Sequence, residues 1–171
     1  VPSRTGRTIE PETAVRLAEL ENFAGYKAAS GDLGHISEVV ERTRDEDFTV
    51  LSGDDPLTLP ILSVGGGGVI SVTANVEPER VCAEVGAALA GDYDRARNLH
   101  HELGPLNRAL FAETNPIPVK AAMAMRDHGA ERLRPPLSPL ADEHREHLAA
   151  VLSRLEAAET PDTGEPVEVS E

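Results

Sequence analysis

Apolar positions along the chain change period several times, and the changes mark out alternating helices and strands. Behind Pro11 and Glu12, the residues Ala14, Val15, Leu17, Ala18 and Leu20 form a stripe at helical spacing, with proline at the first helical position. A short apolar strand is expected at about residues 24–29. Leu33, Ile36, Val39 and Val40 return to the helical period over 33–44. Residues 48–51 (FTVL) read as a strand ending in Ser52-Gly53-Asp54-Asp55. Residues 56–64 read as a short helix closed by the glycines at 65–68, and residues 69–72 (VISV) as a further strand. That strand is apolar without alternation, as in a parallel sheet covered on both faces. Residues 1–9 carry Pro2, Ser3 and Gly6 and read as a loop.

The resulting order, helix and strand in strict alternation, predicts an α/β fold with parallel strands joined by helical crossovers. Three strands cannot close a barrel; they give half of one, with an open edge on each side. Longer helices are expected at about 78–90, 92–112, 116–128 and 140–158, with a rigid extended connector through Pro135, Pro136 and Pro139 before the last. The expected organisation is therefore a β/α half-barrel over 1–113, a helical region over 114–158 and a disordered acidic tail over 159–171.

Charge narrows the class of partner. Sixteen basic residues against 30 acidic ones leave a net charge of −14, which argues against nucleic acid or an anionic membrane. Only Lys27 and Lys120 are lysines; arginine supplies the other cations. Acid-rich, lysine-poor composition with no Trp, two Tyr and three Phe points to a halophile surface. The alternative is ordinary solvated acidic helices. Cys82 is alone, so neither an intrachain disulfide nor a cysteine-based metal site is expected, in keeping with a cytoplasmic setting. No run of 18 apolar residues reads as a membrane span. The chain opens Val1-Pro2-Ser3 without an initiator Met, which reads as a fragment or a processed product.

Lys27 is the sharpest chemical signal. It stands near the end of an apolar strand, just before a loop, and β/α barrels carry their active sites at the C-terminal ends of the strands. A desolvated lysine amine sheds its proton more readily and can attack a carbonyl. A lysine snorkelling at a strand end is the plainer reading. Arg4, beside Thr5 and Gly6, either clamps a carboxylate through a forked pair of hydrogen bonds or is a solvated surface arginine. Gly53 allows close backbone approach to a ligand, and Asp54 or Asp55 reads as a cap for the next helix. The glycines at 65–68 lack the phosphate-loop pattern, and no HExxH frame supports the His144 and His147 pair as metal ligands. Lys120 follows Asn115-Pro116-Ile117-Pro118 in a helix, where a solvated or paired lysine is expected.

Several segments together resemble one family. VPSRTG at 1–6, GYKAASGDL at 25–33, LSGDD at 51–55, GGVISVTAN at 67–75 and FAETNPIPVKAAM at 111–123 are similar, in order and spacing, to the dihydrodipicolinate synthase family, over residues 1 to about 155. The resemblance implies the C-terminal half of a (β/α)8 TIM barrel followed by a C-terminal helical region. It implies a lyase condensing pyruvate with aspartate semialdehyde through an imine at Lys27, with no metal or organic cofactor. Arg4 matches the family arginine for the semialdehyde carboxylate, Ile70 a residue lining the pyruvate site, and Gly53 the glycine of the turn near it. A homo-oligomer, commonly a tetramer, is implied. A related aldolase acting on a 2-keto-3-deoxy sugar acid is the alternative within the fold, and a catalytically silent half-barrel the alternative outside it. The family's GTTGE-type loop and proton-relay tyrosines have no counterpart in the sequence; Tyr26 and Tyr93 do not match them. Turnover by these residues alone is therefore not expected.

Overall fold

The computed structural model describes residues 1–158; the tail expected over 159–171 lies outside the described residues. The elements run α1 (Pro2–Thr5), α2 (Pro11–Ala18), β1 (Gly25–Ala28), α3 (Leu33–Thr43), β2 (Thr49–Ser52), a 3-10 turn (Asp55–Leu57), α4 (Thr58–Ser63), β3 (Gly68–Val69), a second 3-10 turn (Thr73–Asn75), α5 (Pro78–Leu89), α6 (Tyr93–Ala109), α7 (Ile117–Met125) and α8 (Asp142–Ala157). The expected β/α alternation is present. The three strands pair in the order β1-β2-β3, both pairs parallel, and form an open sheet.

Two compact units divide the chain, Val1–Ser71 with Ala87–Tyr93 and Val72–Gly86 with Asp94–Glu171. In the first, Ala14, Ala28, Ile36, Val39, Val50 and Ile61 make the core between the sheet and its helices. Removing each large aliphatic side chain from water contributes about 1.5–3 kcal/mol. Asp32 caps α3 by accepting from the His35 amide at 3.1 Å, and Arg42 of α3 reaches Glu12 of α2 at 2.8 Å. In the second unit, Leu106, Leu110, Ile117, Leu148, Val151 and Leu152 belong to one core cluster. Arg80, 3% exposed, ties that unit together. It donates to Glu77 at 2.6 Å, to Glu102 at 2.7 Å and to the backbone carbonyl of Leu155 at 2.8 Å.

Local departures from the sequence reading have identifiable causes. The segment expected as a wholly irregular loop contains α1, one turn of helix started by Pro2 and stopped by Gly6 at φ +68°. The expected 56–64 helix is a 3-10 turn running into α4, with Pro56 inside the turn. The strand expected at 69–72 is only Gly68–Val69, because the chain turns away into the 3-10 segment at Thr73. Ile70 is 48% exposed, so the described residues leave one face uncovered just past this strand. Leu33 is exposed at the first position of α3 rather than on its buried face.

Candidate active site

Side chains of a strand alternate between faces, so the register decides which residues share one. Lys27 stands opposite Leu51, and Leu51 opposite Gly68. Two residues further along the chain from Leu51 and Gly68 come Gly53 and Ile70. Lys27, Leu51, Gly53 and Ile70 therefore line one face at the C-terminal ends of the strands, and Tyr26, Ala28, Val50 and Ser52 point to the helix-covered face. Burial agrees with this division: Ala28, Val50 and Ser52 are buried, whereas Lys27 and Ile70 are exposed. Among the described residues Lys27 is exposed, not in the partly desolvated setting expected for it.

The turn after β2 is shaped around the lysine. The Gly53 amide donates to the Ala28 carbonyl at 2.7 Å, which pulls the turn across the end of β1. A Cβ at position 53 would fall 2.8 Å from Lys27 Cε, 2.9 Å from Lys27 Cγ and 2.8 Å from the Ala29 Cβ. Only glycine lets the lysine stem lie against this backbone. The Ile70 amide donates to the Ser52 carbonyl at 2.7 Å and sets Ile70 at the same level of the sheet.

The residues around this turn were underread in the sequence. Asp54 occupies the N-cap position of the 3-10 turn, but its side chain makes no capping hydrogen bond. Instead the Ser52 hydroxyl closes the turn, accepting from the Asp54 amide at 3.2 Å and donating to the Asp54 carbonyl at 2.8 Å. Asp55 is buried and accepts a hydrogen bond from the Ser71 hydroxyl, linking the turn to the segment after β3. Burial, and secondarily the charge of Asp55, push the Asp54 carboxyl above the usual aspartate range. Ser71 carried no signal as a partner for Asp55, since 16 residues separate the two.

Arg4 is exposed in the last turn of α1. Thr5 folds the chain beyond it, donating to the Arg7 carbonyl at 3.0 Å. The structure brings Lys27, Gly53 and Ile70 onto one face. It leaves Arg4 on the neighbouring loop. Of the histidine pair, His144 meets Glu113 at 2.8 Å and His147 is exposed. No described helix is long and apolar enough to cross a membrane.

Comparison with known proteins gives this geometry a family. The model of the Dihydrodipicolinate synthetase family matches residues 1–155. Over 162 residues the chain is 64% identical to the 4-hydroxy-tetrahydrodipicolinate synthase of the halophilic archaeon Haloarcula marismortui, covering 95% of this chain and 53% of that protein. It superposes on the dihydrodipicolinate synthase of Thermotoga maritima with a TM-score of 0.89 at 41% identity, over 92% of this chain and 55% of that one. A chloride-inhibited dihydrodipicolinate synthase of Acinetobacter baumannii, complexed with pyruvate, gives a TM-score of 0.86 at 38% identity, over 90% of this chain and 52% of that one. The chain spans about half the length of the curated relatives it matches. Its open three-stranded parallel sheet with flanking helices corresponds to about half of these solved chains. The chain belongs to the dihydrodipicolinate synthetase family.

Proposed function

We propose that this chain supplies the imine-forming part of a 4-hydroxy-tetrahydrodipicolinate synthase, a lyase that condenses pyruvate with aspartate semialdehyde. The observation that carries the reading is the shared sheet face of Lys27, Gly53 and Ile70 at the C-terminal ends of parallel strands, where β/α proteins hold their reacting groups.

In this reading the neutral Lys27 amine attacks C2 of pyruvate, and the carbinolamine loses water to give a protonated imine. The imine draws electrons from C3, which loses a proton to become an enamine carbon. That carbon bonds to the aldehyde carbon of the semialdehyde, and the aldehyde oxygen takes up a proton. The semialdehyde amine then adds to C2 and displaces Lys27, closing the heterocycle. The electron sink is the imine itself. Arg4 holds the semialdehyde carboxylate as a forked donor, Ile70 lines the pyruvate site, and Gly53 keeps Lys27 in its track. The same reading puts the complete enzyme in the cytoplasm as a homo-oligomer.

Proton relay and the pyruvate carboxylate require groups that these residues do not offer, so turnover depends on the remaining part of the family's length. The test mixes this chain with the part of the Haloarcula marismortui synthase that it does not match, and follows condensation of pyruvate with aspartate semialdehyde. Turnover is expected in the mixture, and in neither component alone. A Lys27→Ala chain should be silent in the same mixture, and Arg4→Ala should raise KM for the semialdehyde more than it lowers kcat. A mixture that turns over equally well with Lys27→Ala would refute the assignment.

A further inference from the structure

On a chain with nearly two carboxylates per cation, most buried or half-buried arginines find an acidic partner, as Arg80, Arg126 and Arg145 do. Among the cations outside such pairs are the half-buried Lys120 and the exposed Arg132 and Arg134. Among the described residues, no ion pair holds Lys120, Arg132 or Arg134. All three line a single cavity of about 530 Å³, whose other walls are Pro116, Leu133 and Leu137. A second cavity of about 490 Å³ shares Pro116 and Lys120 with it and continues over Val119 and Met123. Lys120 is half-buried on α7 at the junction of the two.

Two carboxylates close to these cations in the sequence are held by other partners. Glu131, next to Arg132, bonds to Arg145. Glu113, two residues before Asn115, accepts from the Ala141 amide at 2.9 Å and from His144 at 2.8 Å. What remains is a concave, mostly apolar surface of proline and leucine, lined also by Lys120 of α7 and by Arg132 and Arg134 of the irregular segment after it. Field from like charges concentrates in such a cleft and raises the local concentration of small anions, even on a chain of net charge −14.

We propose that this cavity binds a small aliphatic dicarboxylate. One carboxylate meets Lys120. The other meets the guanidinium of Arg132 or Arg134, whose planar fork matches a carboxylate in two parallel hydrogen bonds. The methylene body lies on Pro116, Leu133 and Leu137, a surface that inorganic phosphate would leave unused. All of these residues belong to the second compact unit, whereas Lys27 belongs to the first.

Isothermal titration of this chain with glutarate and adipate, in a low-chloride buffer, tests the proposal. Saturable binding of one dicarboxylate per chain is expected. The monocarboxylate valerate, Lys120→Gln and the double variant Arg132→Gln with Arg134→Gln should each weaken binding at least about tenfold, the loss of one charge-assisted contact. Circular dichroism of the variants separates a lost site from a lost fold. A Lys27→Ala chain should bind as the parent does. Absence of saturable binding, equal affinity in folded Lys120 and arginine variants, or loss of binding in Lys27→Ala would overturn the assignment.

Discussion

The backbone of Gly53 lies directly against the side chain of Lys27, so close that a methyl group at position 53 would sit 2.8 Å from Lys27 Cε. The contact joins two different strand ends and defines the track along which the amine reaches the open face of the sheet. Gly53→Ala should push the lysine stem aside. The Ala29 methyl, at the same 2.8 Å, cannot swing away as a long side chain can. Overpacking of this kind costs about 1–3 kcal/mol. Displacing a nucleophile by about 1 Å can cost ~10²-fold in reactivity. Thermal melts and the rate of imine formation with pyruvate, measured on the variant, give both quantities.

Asp54 should make stability depend on pH in a specific direction. Its carboxyl is raised by burial and then by the Asp55 charge, so the folded chain holds that proton more tightly than the unfolded chain does. The stability this supplies is fully present below the ordinary aspartate value and is lost as pH rises through the raised one. At neutral pH the ionised group is therefore a cost. Asp54→Asn should raise Tm at neutral pH, and the gain should shrink towards zero as pH falls below the ordinary aspartate range. A constant offset at all pH values would contradict this.

Arg80 offers a larger effect. Its side chain is 4% exposed and holds the equally buried Glu77, the less buried Glu102 and the backbone carbonyl of Leu155. Arg80→Met keeps much of the volume but leaves part of a buried carboxylate pair uncompensated. Removing one partner from such a pair costs about 3–5 kcal/mol. Urea unfolding should show that loss. A companion Arg97→Met variant, at an exposed pair with Asp94, should lose about 1 kcal/mol or less.

Much of this architecture was legible because period and punctuation agree. Pro11 opens α2, the Ile36 and Val39 spacing marks the buried face of α3, and β-branched Thr49 and Val50 sit in β2. Lys27 could be singled out from its place at a strand end in an arginine-rich chain. Gly53 could be read as a point of close backbone approach, but Ile70 needed the family motifs, because nothing in local composition tells which face a residue past a strand will take. The uncovered state of that face could not be read from a strand pattern that looked buried on both sides. Ser71 with Asp55, and Arg80 with Leu155, depend on contacts across 16 and 75 residues, which no local window contains. From the sequence Lys120 reads as a solvated or paired lysine on a helix. Only the structure brings Arg132 and Arg134 to the same cavity.

In the proposed function Lys27 is the amine that captures pyruvate. Incubating the chain with pyruvate in concentrated salt, reducing with borohydride and mapping the adduct by mass spectrometry addresses it directly. The two lysines, Lys27 and Lys120, make the readout a choice between two peptides, with the amino terminus as a third nucleophile to monitor. A reduced pyruvyl adduct on Lys27, with Lys120 unmodified, is the predicted result. An adduct on Lys120 in preference to Lys27, or none on Lys27 when the chain is combined with the complementary part of the Haloarcula marismortui synthase, would contradict it.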